Sequence, residues 1–319
     1  MGFVTIIASP RSFTDNEYVY GLKKGNKYQC VVVVSPTNVM KVTEKSWRQP
    51  YSLIVVAIAL NAALYAVGSY ATSFITSPWG IGQFRPAVVI PALFATIFGP
   101  WAGGIGAALG TLIADSAKHG GLYFGSLLAA VPGNFVGFFI FGYVLRKKFN
   151  WARFVTVSNV TLIVANVIVA FLYVFVFKLL YAQTLAFTQM TSDALIVLSI
   201  GLTIFWFVTM LPFVLLVTPP LIVAVASAFP SIVSEELRAN AVKQPPKRLL
   251  ASSMLIPGII MILIGLAATY TAFGSYISTK FATNYFTPAI MALLQLLFYG
   301  SGIVLTIIGI TVLVRKSKQ

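Results

Sequence analysis

Few side chains in this sequence could do chemistry. Seven Asp and Glu residues and one His are spread over 319 residues. The chain contains no His-Glu-x-x-His motif, no Gly-x-Ser-x-Gly motif and no paired Asp arrangement of the kind used for proteolysis within a membrane. We therefore expect no catalytic residues and no enzymatic activity.

Metal and nucleotide chemistry also lack their usual motifs. Cys30 is the single cysteine, which excludes a disulfide within the chain and a metal cluster held by cysteines. The sequence has no Gly-x-x-x-x-Gly-Lys-Ser/Thr motif, so it cannot bind ATP through a P-loop of its own. We predict no metal and no cofactor, and any ATP-driven process requires separate ATPase subunits.

Polar side chains near or within long apolar segments are the remaining candidates, and the chemistry that they favour is binding. A polar group at membrane depth is costly unless it pairs or lines a wet cavity. Aromatic rings can stack on a flat heterocycle, and amides can form hydrogen bonds with its edges. The candidates are Trp79, Gln83, Arg85, Asp115, Lys118, His119, Asn134, Asn159, Asn166, Tyr173, Lys178, Tyr181, Gln183, Asp193, Thr203 and Trp206.

Several of these residues also have a plain structural interpretation. Arg85 and Asp115 could form an ion pair between neighbouring helices, which is as well supported as a binding role. Lys178 could extend along the apolar surface to reach water, and Trp79 and Tyr181 could be interfacial aromatic residues. His119 is a lone histidine near a loop, where contact with water is commoner than a ligand.

The composition indicates the solvent in which these residues must be positioned. Hydrophobic residues make up 58% of the chain and charged residues 9%, and the mean hydropathy is +0.90. A soluble domain carries about 25% charged residues. The apolar runs are long and lack the alternation of barrel strands, so helices are the elements that satisfy the backbone in lipid. The sequence predicts an all-α polytopic membrane protein.

Eight apolar segments follow the polar first 50 residues. The second and third are short for a crossing of about 20 residues, and only Gly99-Pro100 separates them. They could form two tilted helices or one re-entrant hairpin. The segments are Tyr51–Thr76, Pro86–Phe98, Trp101–Ala117, Leu122–Leu145, Phe154–Leu180, Ala194–Phe229, Leu250–Ala272 and Pro288–Val314.

The distribution of Lys and Arg predicts the topology. The excess of basic residues, a net charge of +15, is divided among short clusters between the apolar segments, which is not the single basic face expected for nucleic-acid binding. If the short pair counts as two crossings and the N-terminus is cytoplasmic, 18 of the 22 basic residues lie inside. We therefore predict a multi-pass protein of the cell membrane with both termini in the cytoplasm.

The chain is predicted to have four regions. Residues 1–50 form a polar cytoplasmic region, in which Tyr28–Val34 could be a short strand, and residues 51–229 form a six-helix core. Residues 230–249 form a cytoplasmic linker, and residues 250–319 form a two-helix appendix with a basic tail.

The region around the short pair resembles the substrate-binding S components of energy-coupling factor (ECF) transporters. The resemblance rests on Gly82-Gln83-Phe84-Arg85-Pro86, on Phe98-Gly99-Pro100-Trp101-Ala102-Gly103-Gly104, and on the glycines that lead to Asp115. It covers roughly residues 51–229. The N-terminal region and the last two helices depart from the compact form of that family.

The resemblance implies a pocket near the outer face, walled by helices four to six and closed by the first loop. The residues that fit this pocket are Gln83, Arg85, Asn134, Asn166, Tyr173, Lys178 and Trp206. It also implies that a small-residue stripe on the first helix docks the T component. That stripe is Ala59, Ala62, Ala63 and Ala66, and packing within the bundle is an equally good interpretation.

The resemblance implies a subunit that captures a small nutrient, such as a vitamin or a related heterocycle, for an ECF-type ABC importer. Its partners would be a T component and two ABC-type ATPase subunits. The alternative is a self-sufficient secondary or facilitative transporter completed by the two extra helices. Against this alternative, the sequence shows no inverted repeat and almost no carboxylates within the apolar segments.

Overall fold

The computed structural model describes residues 6–8, 17–24, 27–34, 49–78, 80–180, 191–281 and 288–315. The chain divides into two compact units, Met1–Arg48 and Gln49–Gln319. The first unit contains a three-stranded antiparallel sheet in the order β1-β2-β3. Its strands are β1 (Ile6–Ala8), β2 (Glu17–Lys24) and β3 (Lys27–Val34), so the strand predicted at Tyr28–Val34 is confirmed.

Helices are the regular elements of the second unit among its described residues, with one isolated bridge between Thr76 and Gln83, which confirms the prediction of an all-α membrane body. Its α-helices are α1 (Tyr51–Ala71), α2 (Val89–Phe98), α3 (Pro100–His119), α4 (Val131–Lys147), α5 (Trp151–Leu180), α6 (Ser192–Leu216), α7 (Thr218–Ala228), α8 (Glu235–Ala241), α9 (Lys247–Tyr270), α10 (Ala272–Phe281) and α11 (Pro288–Val314).

Within the described residues, six helical segments are long and apolar enough to cross a membrane. They are α1, α4 together with the turn before it (Ser126–Lys147), α5, the continuous run of α6 and α7 (Ser192–Ala228), α9, and most of α11 (Ala292–Val314). Two of the eight predicted segments are not among them. The helix at Pro86–Phe98 is too short, and α3 contains four glycines together with Asp115 and Lys118, which lower its hydropathy.

Helices α2 and α3 form a hairpin that turns at Gly99-Pro100, where the sequence left two tilted helices and a re-entrant hairpin as alternatives. Gly99 has a φ of 88°, which is the left-handed region where a side chain is strained, and Pro100 begins α3. A Cβ placed on Gly103 would lie 2.8 Å from the Cα of Ala95, so the helices approach too closely for any other residue. The short pair is therefore one helical hairpin with a tight turn.

Glycines also let α3 pack directly on α1. A Cβ placed on Gly110 would lie 2.8 Å from the carbonyl oxygen of Ala62. The buried Asn61 donates from Nδ2 to the Ala102 carbonyl oxygen at 2.8 Å across the same contact. This close contact fixes α3, and with it Asp115, against the first helix.

One predicted segment boundary was wrong. The first apolar segment was expected to run to Thr76, but α1 ends at Ala71 and the following residues form a loop. The segment Ala194–Phe229 corresponds to one long apolar helical run, Ser192–Ala228, in which Val217 separates α6 from α7 and Pro219 occupies the first turn of α7. A proline is well accommodated in a first turn, where its missing N–H costs nothing.

The last two long helices, α9 and α11, form a hairpin of their own. Glycines on both helices set the contact, since a Cβ on Gly302 would lie 2.9 Å from the Gly258 carbonyl oxygen. A hydrogen bond of 3.2 Å from Asn159 Nδ2 to Ser253 Oγ joins α5 to α9. Asn159, a candidate for ligand binding from the sequence, therefore connects the appendix to the bundle.

Candidate ligand-binding cavity

One end of the helical bundle contains a cavity that is open at its mouth. Its walls come from α1, α3, the start of α4, α5 and α6, and the loop after α1 closes over it. The lining residues are Tyr65, Thr76, Gly80, Ile81, Gly82, Gln83, Arg85, Asp115, Lys118, His119, Tyr123, Ser126, Ala130, Asn134, Asn166, Val169, Tyr173, Trp206 and Met210.

The loop between α1 and α2 folds back on itself as a small hairpin over the cavity. Phe84 N–H donates to the Ile75 carbonyl oxygen at 2.8 Å, and Ser77 N–H donates to that of Gly82 at 3.0 Å. Lys118, at the end of α3, donates from Nζ to the Ser73 carbonyl oxygen at 2.7 Å. This loop, residues 72–85, is called the lid below. It is ordered by its own backbone hydrogen bonds and held at one side by Lys118.

Trp206 of α6 holds the lid at the opposite side. Its indole N–H donates to the Gln83 carbonyl oxygen at 3.0 Å. Gly82 has a φ of 78° and packs on the indole, since a Cβ there would lie 2.7 Å from Trp206 Cζ2. Any side chain at this position would be strained and would also displace the ring. Trp206 thus serves as a cavity wall and as the anchor of the lid.

A buried ion pair stands beneath the lid. Arg85 forms a salt bridge with Asp115 of α3, and both side chains are about 90% or more buried, with exposures of 10% and 6%. Arg85 also donates to Thr111 Oγ1, and at 3.5 Å to Gln83 Oε1. These contacts offset the free-energy cost of burying the charged guanidinium, which would be very high without them. The ion pair proposed from the sequence is therefore present, and it borders the cavity as well.

Aromatic rings form one side of the cavity. The rings of His119 and Tyr123 stack with their centroids 3.7 Å apart and an interplanar angle of 2°. The hydroxyl of Tyr123 is 2.9 Å from that of Tyr173 on α5. Such surfaces favour a flat aromatic ligand, because stacked rings gain dispersion and quadrupole interactions beyond simple burial.

Amides supply the polar part of the lining. Asn134 on α4 donates from Nδ2 to the Ala130 carbonyl oxygen at 2.8 Å, which leaves its side-chain oxygen without a donor among the described residues. Asn166 on α5 is buried, and its side chain makes one long contact with the described part of the chain, 3.9 Å from Nδ2 to Met210 Sδ. Both amides keep hydrogen-bonding capacity for a ligand.

Comparison with known proteins identifies the family to which the chain belongs. Residues 52–227, more than half of the chain, match the family model of the ECF-type riboflavin transporter S component. The chain belongs to this family. No curated protein and no solved structure gives a significant match. The resemblance seen in the sequence is thereby confirmed, and the matched residues include every residue that lines the cavity.

The S component brings most of the predicted binding residues together. Six of the seven line the one cavity, although they come from the lid and from three separate helices. The seventh, Lys178, has its backbone in α5, but its side chain lies outside the described part of the chain. The six are Gln83, Arg85, Asn134, Asn166, Tyr173 and Trp206. Their binding role stays a prediction.

The remaining sequence candidates have mixed positions. Asp115, Lys118 and His119 line the cavity. Thr203 lies behind its wall, where Oγ1 donates to the Ser199 carbonyl oxygen at 2.9 Å. Asp193 is exposed at the start of α6. The predictions at Trp79, Tyr181 and Gln183 lie outside the described residues.

Tyr65, Tyr123 and Ser126 are among the lining residues that were not candidates from the sequence. Tyr65 was hidden in a regular apolar helix, and Tyr123 in the loop before α4. Ser126 gave no signal, because a serine near a loop is usually solvated. The feature that unites them is visible only in the fold, where the ends of α1, α3 and α4 meet at the lid.

The small-residue stripe on α1 is divided between two faces of the helix. Ala59 and Ala63 are exposed on the outer surface of the S component. Ala62 and Ala66 are buried, with exposures of 5% and 6%. The docking role of the stripe stays a prediction, and the burial of Ala62 and Ala66 leaves them inaccessible to a partner. Docking can use only the exposed pair in this conformation.

The chemistry that the lining of the cavity supports is ligand binding. Among the described residues, no group of three or more His, Cys, Asp and Glu side chains could hold a metal ion. Asp115, the carboxylate of the cavity, is engaged by Arg85. Lys118 adds a positive charge near the mouth, so the lining carries charge that favours a neutral or anionic ligand over a cation.

Proposed function

We propose that this S component captures riboflavin, or a closely related flat heterocycle, in the cavity beneath the lid. The observation that carries the proposal is the lining itself, where the stacked pair His119 and Tyr123 and the Trp206 indole stand close to the Asn134 and Asn166 amides. A tricyclic ring with polar edges needs both kinds of surface. The family description, which names riboflavin, agrees with this chemistry.

The cavity would open to the outside of the cell. The basic cluster Arg146–Lys148 lies at the other end of the bundle, where the Arg146 Nη1 atom would be 3.3 Å from a Cβ on Gly99. Gln49, just before α1, is at that end too. Its Nε2 donates to the carbonyl oxygens of Ile97 and Ile232, at 3.1 and 3.0 Å. Basic residues favour the cytoplasmic side. Both termini would then be cytoplasmic and the lid would face the nutrient.

Ligand binding should stabilise the purified protein. Riboflavin at 100 times its dissociation constant should raise the free energy of unfolding by about 2.7 kcal/mol, provided that it binds the folded state alone. Thermal unfolding in detergent, with riboflavin, lumiflavin, thiamine and biotin at equal concentration, measures this. Stabilisation by riboflavin and lumiflavin alone supports the proposal. Equal or absent shifts for all four compounds would contradict it.

Transport itself would depend on partner subunits. We propose a T component and two ABC-type ATPases, because the chain has no P-loop of its own. The docking face would include Ala59 and Ala63, which present small exposed side chains on α1. A helix of a partner can approach closely over such residues, as in other small-residue contacts within membranes.

A large side chain at position 63 should block assembly with the partner subunits. We expect Ala63→Trp to abolish co-purification of the T component and the ATPases while leaving riboflavin affinity within about twofold, since Ala63 does not line the cavity. Ala292→Trp is the matched control, because Ala292 is exposed on the distant α11. Recovery of the partner subunits with both variants alike would exclude this docking face.

A further inference from the structure

The chain enters α4 through a π-helical turn, Ser126–Ala130, that borders the cavity. The Val131 N–H donates to the Ser126 carbonyl oxygen five residues earlier, in place of the usual four. Such turns are rare and are frequent at functional sites. Ser126 and Ala130 line the ligand cavity, whereas Leu127 and Leu128 line an apolar groove outside it. The turn therefore forms the wall between the two.

The Ser126 hydroxyl lacks a partner at this wall. The residue is 1% exposed, and its Oγ makes no hydrogen bond with any residue that the structure describes. Ser158 and Ser199 show the usual solution for a buried helical serine, since each donates to the carbonyl oxygen four residues earlier, at 2.7 and 2.9 Å. The residue four before Ser126 is Leu122, which precedes the helix. The local fold thus leaves the hydroxyl unbonded.

A buried hydroxyl without a partner is unfavourable, and native proteins seldom retain one without a reason. Water or a ligand that reaches the bottom of the cavity can supply the missing bond. We infer that the Ser126 hydroxyl is a specificity-determining ligand contact, which hydrogen-bonds to a carbonyl oxygen or ring nitrogen on the edge of the bound heterocycle. This inference rests on the proposed function.

The spacing along the helix fits a flat ring. Ser126, Ala130 and Asn134 all line the cavity, and they span roughly 12 Å along the helix axis at about 1.5 Å per residue. Ala130 contributes only a methyl group between the two polar side chains. A planar ring system can therefore lie over Ala130 with a polar edge at Ser126 and another group at Asn134.

The test compares Ser126→Ala with the wild type, using riboflavin and lumiflavin, which shares the ring but lacks the ribityl chain. Quenching of flavin fluorescence gives the dissociation constants. We expect the variant to bind both compounds about 3- to 10-fold more weakly, as for one lost hydrogen bond. Without ligand, its thermal midpoint should be equal to that of the wild type or higher, because an unsatisfied hydroxyl has been removed. A purely structural role would not produce these opposite effects.

Ser158→Ala is the matched control, since Ser158 is a fully buried serine outside the cavity, and its affinities should not change. Wild-type affinity of Ser126→Ala for both flavins would overturn the inference and leave the proposed function intact. A loss confined to riboflavin would assign the hydroxyl to the ribityl chain and would also overturn the inference. Failure of the wild type to bind either flavin would remove the proposed function and the inference with it.

Discussion

Replacing Asp115 by Asn should lower the free energy of unfolding by about 3 kcal/mol, because it leaves the buried Arg85 guanidinium without a counter-charge. The substitution keeps the size of the side chain, so the loss reports the charge and not a cavity. Unfolding of the purified protein by urea or dodecyl sulfate in detergent, followed by tryptophan fluorescence, measures it.

The double variant Arg85→Met with Asp115→Leu sharpens this test. Replacing both members of a buried ion pair by apolar residues is often neutral or stabilising, so we expect the double variant to recover most of the lost stability. Glu235→Gln is the control, since Glu235 is an exposed carboxylate in the first turn of α8, and this change should lower the free energy of unfolding by no more than about 1 kcal/mol. A loss below about 1 kcal/mol for Asp115→Asn would show that the guanidinium is compensated by other groups.

The same pair shows what the sequence could predict. Arg85 and Asp115 are polar residues beside apolar segments, and only pairing or a wet cavity makes such positions tolerable. That argument led to both an ion pair and a binding site, and the structure places the pair on the wall of the cavity. Asn166 and Trp206 could be predicted for the same reason, because they are polar groups at matching depth on two neighbouring helices.

The features that could not be predicted depend on details of the backbone. The π-helical turn at Ser126–Ala130 has no pattern of its own, since a run of Ser, Leu and Ala residues suits an α-helix equally well. The sequence likewise did not determine which residues of α1 are buried. The spacing of Ala59, Ala62, Ala63 and Ala66 predicts a small-residue surface, but the position of α3 decides which half is covered.

Lengths of apolar runs were a poor guide to where helices end. The lid begins at Thr72 because its backbone bonds are made within the loop, for example from Phe84 N–H to the Ile75 carbonyl oxygen. Hydropathy alone does not register such a change, since Phe74 and Ile75 are as apolar as the helix before them. The signal that was present is the cluster of Ser73, Ser77 and Pro78, residues that favour turns.

Replacing Trp206 by Ala should weaken riboflavin binding about 100-fold, equivalent to about 2.8 kcal/mol. The indole lines the cavity, packs on Gly82 and donates to the Gln83 carbonyl oxygen. Its removal would therefore take away a stacking surface and release one side of the lid. Titration of the flavin fluorescence gives the affinity, and the rate of dissociation should rise by most of the same factor because the lid no longer retains the ligand.

Two further tryptophan variants separate these contributions. Trp206→Phe keeps an aromatic ring but loses the N–H, so we expect a loss of about 3- to 10-fold, the value of one hydrogen bond. Trp101→Ala should leave the affinity unchanged, since Trp101 is 52% exposed on α3 and does not line the cavity. If Trp206→Ala bound riboflavin as the wild type does, the ligand would have to lie elsewhere, because no flat ring could occupy this cavity without meeting the indole that closes it.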